Sequence, residues 1–256
     1  MSARLTLWLD GAADAPRQMA RDAALFERAA AGELPGTLLR LFTFDPPGIT
    51  LGRSQDPARE LELESLERAG VRWAVRATGG RAIWHEEEWT FSLLTRLGPD
   101  GWADSAAAAY ERTGRLLAQA LQRLGVPAVL APGSRGPGAP RARAGSAPPC
   151  FASTARHEIL LEGRKLAGIA QRVSRGALLQ QGSVLLGHAH TRLADFTPVA
   201  DREALRRELR ASAAVAGPWL GGERSLLRLR DALAGLLPDA RVGAPDGVEA
   251  SIARRR

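Results

Sequence analysis

The feature that most restricts the possible folds is a run of strand-forming sequence from residue 157 to residue 187. The segment HEILLEGRKLAGIAQRV predicts a β-hairpin that turns at Glu162 and Gly163, and LLQQGSVLLG predicts another strand directly after it. Strands joined by such short turns pair in the antiparallel direction. The pattern therefore disfavours a doubly wound parallel sheet, in which helices separate successive strands.

A helix is predicted near the amino terminus, after the opening strand LTLWL. In the segment MARDAALFERAAAG, the residues Met19, Ala23, Phe26 and Ala30 recur at helical spacing and predict a face that packs inward. Gly32 follows directly and predicts the end of this helix, because glycine accepts the left-handed backbone of a helix terminus.

Further strands are predicted between this helix and the middle of the chain. LLRLFTF and ITLGRSQ predict two strands joined by the turn DPPG, and ELELESLERAG predicts a short helix closed by Gly70. The segment VRWAVRATGGRAIWHEEEWTFSLLT then predicts three strands with a break at Thr78, Gly79 and Gly80.

The segment ADSAAAAYERTGRLLAQALQRLGV has the strongest helical pattern of the chain. Asp104 or Ser105 can cap its first turn, and Leu117, Leu121 and Leu124 lie on one face. This arrangement predicts a long helix with one buried side.

Two regions of the chain remain, and they differ in how many apolar side chains they contain. Residues 131–149, APGSRGPGAPRARAGSAPP, hold almost no apolar side chains, so they predict a flexible loop that leads to Cys150. After Asp201, two groups of leucines at helical spacing predict two further helices: Leu205 and Leu209, then Leu226, Leu229 and Leu233.

These elements fit one mixed α/β (α+β) domain over residues 1–256, with its core at about 20–190 and a helical part at 198–256. The composition agrees, because 45% of the residues are apolar and 25% are charged, as in ordinary globular proteins. The apolar run before Asp10 is too short for the core of a signal peptide, and no later run approaches the length of a membrane span. We therefore expect a cytoplasmic protein with no membrane partner.

The formal charge of +7 raises nucleic acid as a partner class, since the chain also ends in three arginines. However, the basic residues are spread among 28 acidic ones, and the aromatic residues do not interleave with basic clusters. We therefore expect no nucleic-acid partner. A basic surface that is simply solvated, or that complements an acidic protein, explains the charge at least as well.

Lys165 is the only lysine in a chain that contains 34 arginines. An ammonium group is compact and can lose its proton when desolvated, whereas a guanidinium group is a wide fork that stays charged. The small residues Ala167, Gly168 and Ala170 follow in the same strand, a pattern that often marks the close approach of a ligand. Two interpretations stay open: a narrow site that requires lysine, or a codon bias that left one lysine by chance.

Cys150 is the only cysteine, which excludes an internal disulfide and a thiolate-rich metal site. A lone cysteine is more often a small buried side chain than a nucleophile, but two prolines and a polar loop precede this one. A nearby ammonium group favours the reactive thiolate. Lys165 supplies that charge if the loop folds back on the hairpin.

The segment TGGRAIWH, residues 78–85, places two adjacent glycines between strands. Glycines permit positive φ and let backbone amides approach a ligand carbonyl or phosphate, although an ordinary tight turn is the simpler explanation of the pair. His85 fits a hydrogen-bonded structural histidine better than a base, and His188 and His190 are predicted to be exposed. No second histidine lies at metal-ligand spacing from His85, and we expect no metal.

Five segments taken together resemble the catalytic domain shared by biotin and lipoate protein ligases and protein octanoyltransferases. Their order and spacing fit from about residue 20 to residue 190: LGRSQ at 51–55, VRATGGRAIWH at 75–85, CF at 150–151, EGRKLAGIAQRV at 162–173 and LQQGSVLL at 179–186. The resemblance implies a fold like that of class II synthetases, with a mixed, largely antiparallel sheet flanked by helices.

Within this superfamily the chain looks like the cysteine-dependent octanoyltransferases. TGGRA stands where lipoate ligases typically carry three glycines, and a cysteine precedes the GRK hairpin. The resemblance implies that Cys150 accepts the acyl group and that Lys165 fixes the acyl carbonyl. It also implies eleven substrate-binding positions: Arg76, Thr78, Gly79, Gly80, Arg81, His85, Gly168, Ala170, Gln171, Gly182 and Ser183.

The implied reaction is ping-pong transfer of an octanoyl or lipoyl group. The donor would be a thioester on acyl carrier protein, and the acceptor a lysine of a lipoyl domain or of the glycine-cleavage H protein. No cofactor is expected, because a thioester is already activated. Two residues depart from the family pattern: Ala77 stands where proline is common, and Ile169 occupies a usually small position and would shorten the acyl tunnel.

Two other functions stay open. An ATP-dependent lipoate-protein ligase would need Lys165, ATP and magnesium but would tolerate the loss of Cys150. A non-catalytic accessory protein that binds acyl carriers would show binding without turnover, and Ile169 is the residue that most favours it.

Overall fold

The computed structural model describes residues 5–131 and 158–245, so Cys150 and nearly all of the loop predicted at 131–149 lie outside the described residues. The strands are β1 (Leu5–Ala13), β2 (Thr37–Phe44), β3 (Gly48–Leu51), β4 (Arg72–Val75), β5 (Ile83–His85), β6 (Glu88–Arg96), β7 (Val129–Leu130), β8 (Ile159–Leu161), β9 (Arg164–Ser174), β10 (Ala177–Leu185) and β11 (Arg241–Val242). The α-helices are α1 (Ala15–Ala31), α2 (Pro57–Glu60), α3 (Leu63–Arg68), α4 (Ala106–Arg123), α5 (Arg202–Ser212) and α6 (Leu226–Leu236). Two 3₁₀ helices cover Ala189–Phe196 and Gly217–Leu220.

The strands form two sheets. The larger sheet has eight strands in the order β11-β1-β2-β6-β10-β9-β8-β7, and the smaller has three in the order β4-β3-β5. β1 runs parallel to β2 and β11, and β3 runs parallel to β4, whereas the other neighbours are antiparallel. The predicted mixed α/β fold, with a largely antiparallel sheet flanked by helices, is confirmed.

The larger sheet buries both of its faces. Successive side chains of a strand point to opposite faces, so Leu7 joins a core cluster with α4 and α6, while its neighbour Trp8 packs with residues of α1. Helix α1 thus covers one face, and α4 and α6 cover the other. A separate cluster joins the smaller sheet to α5 and the first 3₁₀ helix.

The hairpin that restricts the fold is confirmed. β8 and β9 are joined at Glu162 and Gly163, which have φ angles of 51° and 76°. β9 then pairs with β10 from Ala167 opposite Val184 to Ser174 opposite Ala177. The two strands predicted around DPPG also exist, but they belong to different sheets, with β2 in the larger and β3 in the smaller.

Helix α1 has the predicted end but a different buried face. Gly32 terminates it with a φ angle of 78°, as expected. Ala23 is exposed, however, whereas the polar residues Gln18 and Asp22 are buried. The spacing of apolar residues does not predict this buried face, because two of its members are polar. Gln18 and Asp22 are stabilised there by polar partners in the strands that α1 covers. In α4, by contrast, Ser105 caps the first turn as predicted, since its hydroxyl accepts a hydrogen bond from the amide of Ala108 at 3.2 Å.

The prediction that His190 is exposed was wrong. The residue lies in the 3₁₀ helix that packs against α5, is only 3% exposed, and contacts the carbonyl oxygen of Leu209 at 3.2 Å. His188 is partly buried. Across the described parts of the chain, no helix combines the length and the apolar composition needed to cross a bilayer.

Candidate active site

A cavity of about 180 Å³ lies where β9 and β10 approach α1 and the smaller sheet. Apolar side chains form part of its wall: Met19, Phe42, Phe44, Ile83 and Ile169. Polar side chains form another part: Thr50, Arg76, Arg81, His85, Thr90, Glu158, Lys165, Gln181 and Ser183. Four small residues complete the lining: Gly80, Gly168, Ala170 and Gly182. A narrow cavity with apolar walls and a few convergent polar groups is typical of a small-ligand site.

Most residues predicted from the sequence meet at this cavity. Nine of them line it: Arg76, Gly80, Arg81, His85, Lys165, Gly168, Ala170, Gly182 and Ser183. Thr78 and Gly79 do not line it but are hydrogen-bonded to residues that do, Thr78 to Gln181 and Gly79 to Arg76. The side chain of Gln171 instead accepts a hydrogen bond from Gln180 at 3.0 Å. Cys150 lies outside the described residues, so its predicted place at this cavity stays a prediction.

Arg76 binds the backbone of the loop at residues 78–81, which is called the glycine loop below. Its guanidinium group is buried and donates to the carbonyl oxygens of Gly79 at 2.8 Å, Arg81 at 2.8 Å and Thr50 at 3.2 Å. The loop also packs against the end of β3, because a side-chain carbon at Gly52 would lie only 2.0 Å from the carbonyl oxygen of Gly80. Backbone amides held this firmly need little reorganisation when they bind a developing negative charge.

A chain of hydrogen bonds connects the same loop to helix α1. The hydroxyl of Thr78 donates to Gln181 at 2.7 Å, and the amide of Gln181 donates to Asp22 at 2.6 Å. Asp22 in turn is ion-paired with Arg40 at 2.6 Å. The loop is therefore linked by hydrogen bonds to a charged cluster under α1.

His85 forms hydrogen bonds at both ring nitrogens. Nε2 is 2.7 Å from the hydroxyl of Thr50, and Nδ1 is 2.5 Å from Oε1 of Glu88. The ring also stacks on Phe44 with centroids 4.0 Å apart. These contacts agree with the structural histidine expected from the sequence, but the ring also lines the cavity.

Lys165 and Glu158 form a buried ion pair at the cavity. Nζ of Lys165 lies 2.5 Å from Oε1 of Glu158, and their side chains are 6% and 3% exposed. A buried charge is tolerated when it is paired and hydrogen-bonded. The cavity therefore contains an ammonium group that has an opposite charge beside it.

Sequence reasoning missed several residues of the cavity wall: Met19, Phe42, Phe44, Thr50, Thr90, Glu158 and Gln181. Gln181 lies inside the recognised segment LQQGSVLL, so its neighbours supplied a signal for it. Met19 and Glu158 lie on elements distant in sequence from the glycine loop, and no local pattern links them to the cavity.

Comparison with known proteins identifies a family for this chain. Residues 14–213 match the model of the lipoyl protein ligase A/B catalytic domain. This chain belongs to that family. The octanoyltransferase LipM of Kyrpidia tusciae is 34% identical over 227 residues, which cover 88% of this chain and 82% of the relative. LipM of Symbiobacterium thermophilum is 34% identical over 230 residues, which cover 86% and 80%.

Solved structures of the lipoyl protein ligase family share the fold. A lipoate-protein ligase A bound with ATP superposes with a TM-score of 0.68 and 20% identity, covering 99% of this chain and 93% of that one. The bipartite lipoate protein ligase of Thermoplasma acidophilum superposes with a TM-score of 0.69 and 20% identity, covering 99% and 91%.

Proposed function

We propose that this chain is an octanoyltransferase of protein lipoylation that carries the octanoyl group on Cys150. The octanoyltransferase activity is supported by the similarity to the LipM octanoyltransferases, which extends over most of both chains. This similarity confirms the octanoyltransferase expected from the sequence. The acyl-enzyme route through Cys150 is our proposal from the family pattern and the presence of Lys165 at the cavity.

The cavity supports an aliphatic substrate with a polar head. Phe42, Phe44 and Met19 offer apolar surface to a hydrocarbon chain, while Lys165 and the loop at Gly80 offer donors to a carbonyl oxygen. Ile169 adds further bulk to the wall, which favours a chain of limited length.

In the first step, the Cys150 thiolate attacks the carbonyl carbon of an octanoyl thioester on acyl carrier protein. A new carbon–sulfur bond forms to Cys150, and the bond to the carrier breaks, which releases the carrier thiolate. The Lys165 ammonium and backbone amides near Gly80 stabilise the transient oxyanion. Loss of one such donor commonly raises the barrier by about 3 kcal/mol.

In the second step, a lysine amine of the acceptor attacks the acyl enzyme. A carbon–nitrogen bond forms, the bond to Cys150 breaks, the amine gives up a proton, and the thiolate is regenerated. We propose a lipoyl domain or a glycine-cleavage H protein as the acceptor, since the related archaeal ligase was solved with its E2 lipoyl domain. The net charge of +7 suits an acidic acceptor, and an activated thioester requires neither ATP nor magnesium.

The test is the intact mass of the purified chain after mixing with octanoyl carrier protein without ATP, beside a Cys150→Ala variant. We expect the wild type to gain one octanoyl group and the variant to gain none. Addition of a lipoyl domain should then remove the group from the wild type and transfer it to one lysine of the acceptor.

Two outcomes would contradict the proposal. An unmodified wild type in the presence of intact carrier would exclude the acyl-enzyme route for this donor. Acceptor modification that requires ATP and persists in Cys150→Ala would instead identify an ATP-dependent ligase.

A further inference from the structure

Two neighbours, Glu158 and Gly168, lie against the end of the Lys165 side chain. Glu158 directly precedes β8, and Lys165 lies near the start of β9, the strand that pairs with it. The β8–β9 register shifts between Ile159 and Leu160, so pairing is irregular beside this ion pair. Glu158 and Lys165 both line the cavity.

Glu158 acts on Lys165 through charge. The two side chains are almost completely buried and their charged atoms are 2.5 Å apart, so little water screens the attraction. A carboxylate oxygen at this distance accepts a charge-assisted hydrogen bond from the amine and so restricts the directions in which its remaining hydrogens point. An ammonium group that is charged and oriented before substrate binds is what stabilisation of an oxyanion requires.

Gly168 acts on the same ammonium group by having no side chain. A methyl group at this position would lie 2.9 Å from Cε and 3.2 Å from Nζ of Lys165. The end of the lysine therefore passes directly over Gly168. An alanine there would leave both charges intact but would displace the end of the lysine, because the flexible side chain yields more readily than the strand.

We propose that Glu158 and Gly168 are positioning residues that together hold the Lys165 ammonium group at the acyl cavity. Glu158 fixes it by charge, and Gly168 provides the clearance that its path requires. This inference rests on the proposed function for its effect on catalysis, but the placement of the ammonium group can be measured without any reaction.

The experiment uses the fact that the full chain contains one lysine. Labelling with ¹⁵N at the lysine side chain therefore gives an NMR signal from Lys165 alone. The signal is recorded for the wild type, Glu158→Gln, Gly168→Ala and the control Glu27→Gln, which removes a carboxylate from an exposed ion pair with Arg175. The rate of acylation by octanoyl carrier protein is then measured for each protein by intact mass over a range of donor concentrations.

We expect Glu158→Gln and Gly168→Ala to shift or broaden the Lys165 signal, and Glu27→Gln to leave it unchanged. The acylation rate at saturating donor should fall about 100-fold in Glu158→Gln, since misplacement of a catalytic group by about 1 Å costs that much. The half-saturating donor concentration should change little, which separates misplacement of Lys165 from weaker donor binding.

An unchanged Lys165 signal in both variants, or acylation rates equal to that of Glu27→Gln, would overturn the proposal. If Glu158→Gln does not fold, the outcome for Gly168→Ala decides, because this variant keeps both buried charges. A wild type that is never acylated would refute the proposed function, whereas the NMR signal would still report whether Glu158 and Gly168 hold Lys165.

Discussion

Two buried charged regions lie on the same sheet and differ in how their charges are arranged. Under α1, Arg40 binds Asp10 and Asp22 at 2.6 Å each, and Asp10 also binds Arg21 at 2.6 Å. At the cavity, Lys165 pairs with Glu158 at 2.5 Å. In the first region one arginine links two acids, whereas in the second a compact lysine lies in the wall of a cavity.

The comparison gives a physical reason for the single lysine. A guanidinium group satisfies several acceptors at once, as Arg40 does with Asp10 and Asp22, and is therefore suited to a closed cluster. The path over Gly168 admits only a narrow chain end, since even a methyl group would lie 2.9 Å from Lys165. Arginine at position 165 would have to place a wider group in the same space.

The largest effect is expected where the closed cluster is broken. Arg40→Met leaves Asp10 and Asp22 buried without their shared partner, so we expect the free energy of unfolding to fall by about 3–5 kcal/mol. Urea unfolding followed by tryptophan fluorescence measures this change. Arg175→Met, which breaks only an exposed pair with Glu27, should cost less than about 1 kcal/mol. Equal losses of unfolding free energy in the two variants would show that the buried cluster stabilises the fold no more than an exposed ion pair does.

A smaller effect is expected at Thr78, whose hydrogen bond to Gln181 connects the glycine loop to the charged cluster under α1. Thr78→Val removes the hydroxyl that donates to Gln181 and leaves a buried carbonyl oxygen without that donor. We expect a loss of about 1–2 kcal/mol in unfolding free energy and a lower acylation rate, because the glycine loop loses its tie to α1. Thr78→Ser keeps the hydroxyl and should stay close to wild type in both measurements. A serine variant as impaired as the valine variant would argue against the hydrogen bond.

The smallest effect concerns His190, a buried basic side chain that contacts the carbonyl oxygens of Gly187 and Leu209. Burial lowers the pKa of His190 below its ordinary value of 6.5, mainly because the charged ring is desolvated. The unfolded chain therefore binds this proton more readily, so stability is intact above pH 6.5 and decreases as the pH falls below it.

Urea unfolding at a series of pH values tests this effect. The contribution of His190 is at most about 1.4 kcal/mol for each pH unit below the unfolded value. His190→Gln should therefore flatten the decline between pH 7 and pH 5.5. An identical decline in the variant would assign the pH dependence to other groups.

The sequence predicted elements whose signals are local. The turn at Glu162 and Gly163, the cap at Ser105 and the stop at Gly32 each depend on residues adjacent in the chain, and all three are present. The buried face of α1 was not predicted correctly, because Asp22 is buried by partners on β2, β6 and β10. A helical pattern of apolar residues cannot reveal a polar residue whose partners lie on other strands.

The residues of the candidate site likewise fall into two groups, those with a local sequence signal and those without one. Arg76, Gly80, His85, Lys165 and Gly182 lie in recognisable segments, and the fold brings them to one cavity. Met19, Phe42 and Glu158 had no such signal, since each reaches the cavity only through the packing of its own element. The partner of Lys165 was therefore missed, although the lysine itself was singled out.

By itself, the sequence determined the family and the antiparallel hairpin and singled out Lys165, because the signals for these features lie in contiguous segments. Only the tertiary structure decided which acid accompanies Lys165, how Thr78 is tied to α1 and where apolar side chains close the cavity. The physical reason is that an ion pair, a hydrogen bond or a cavity wall depends on distances between atoms. Those distances between remote segments are set by packing, which no local pattern encodes.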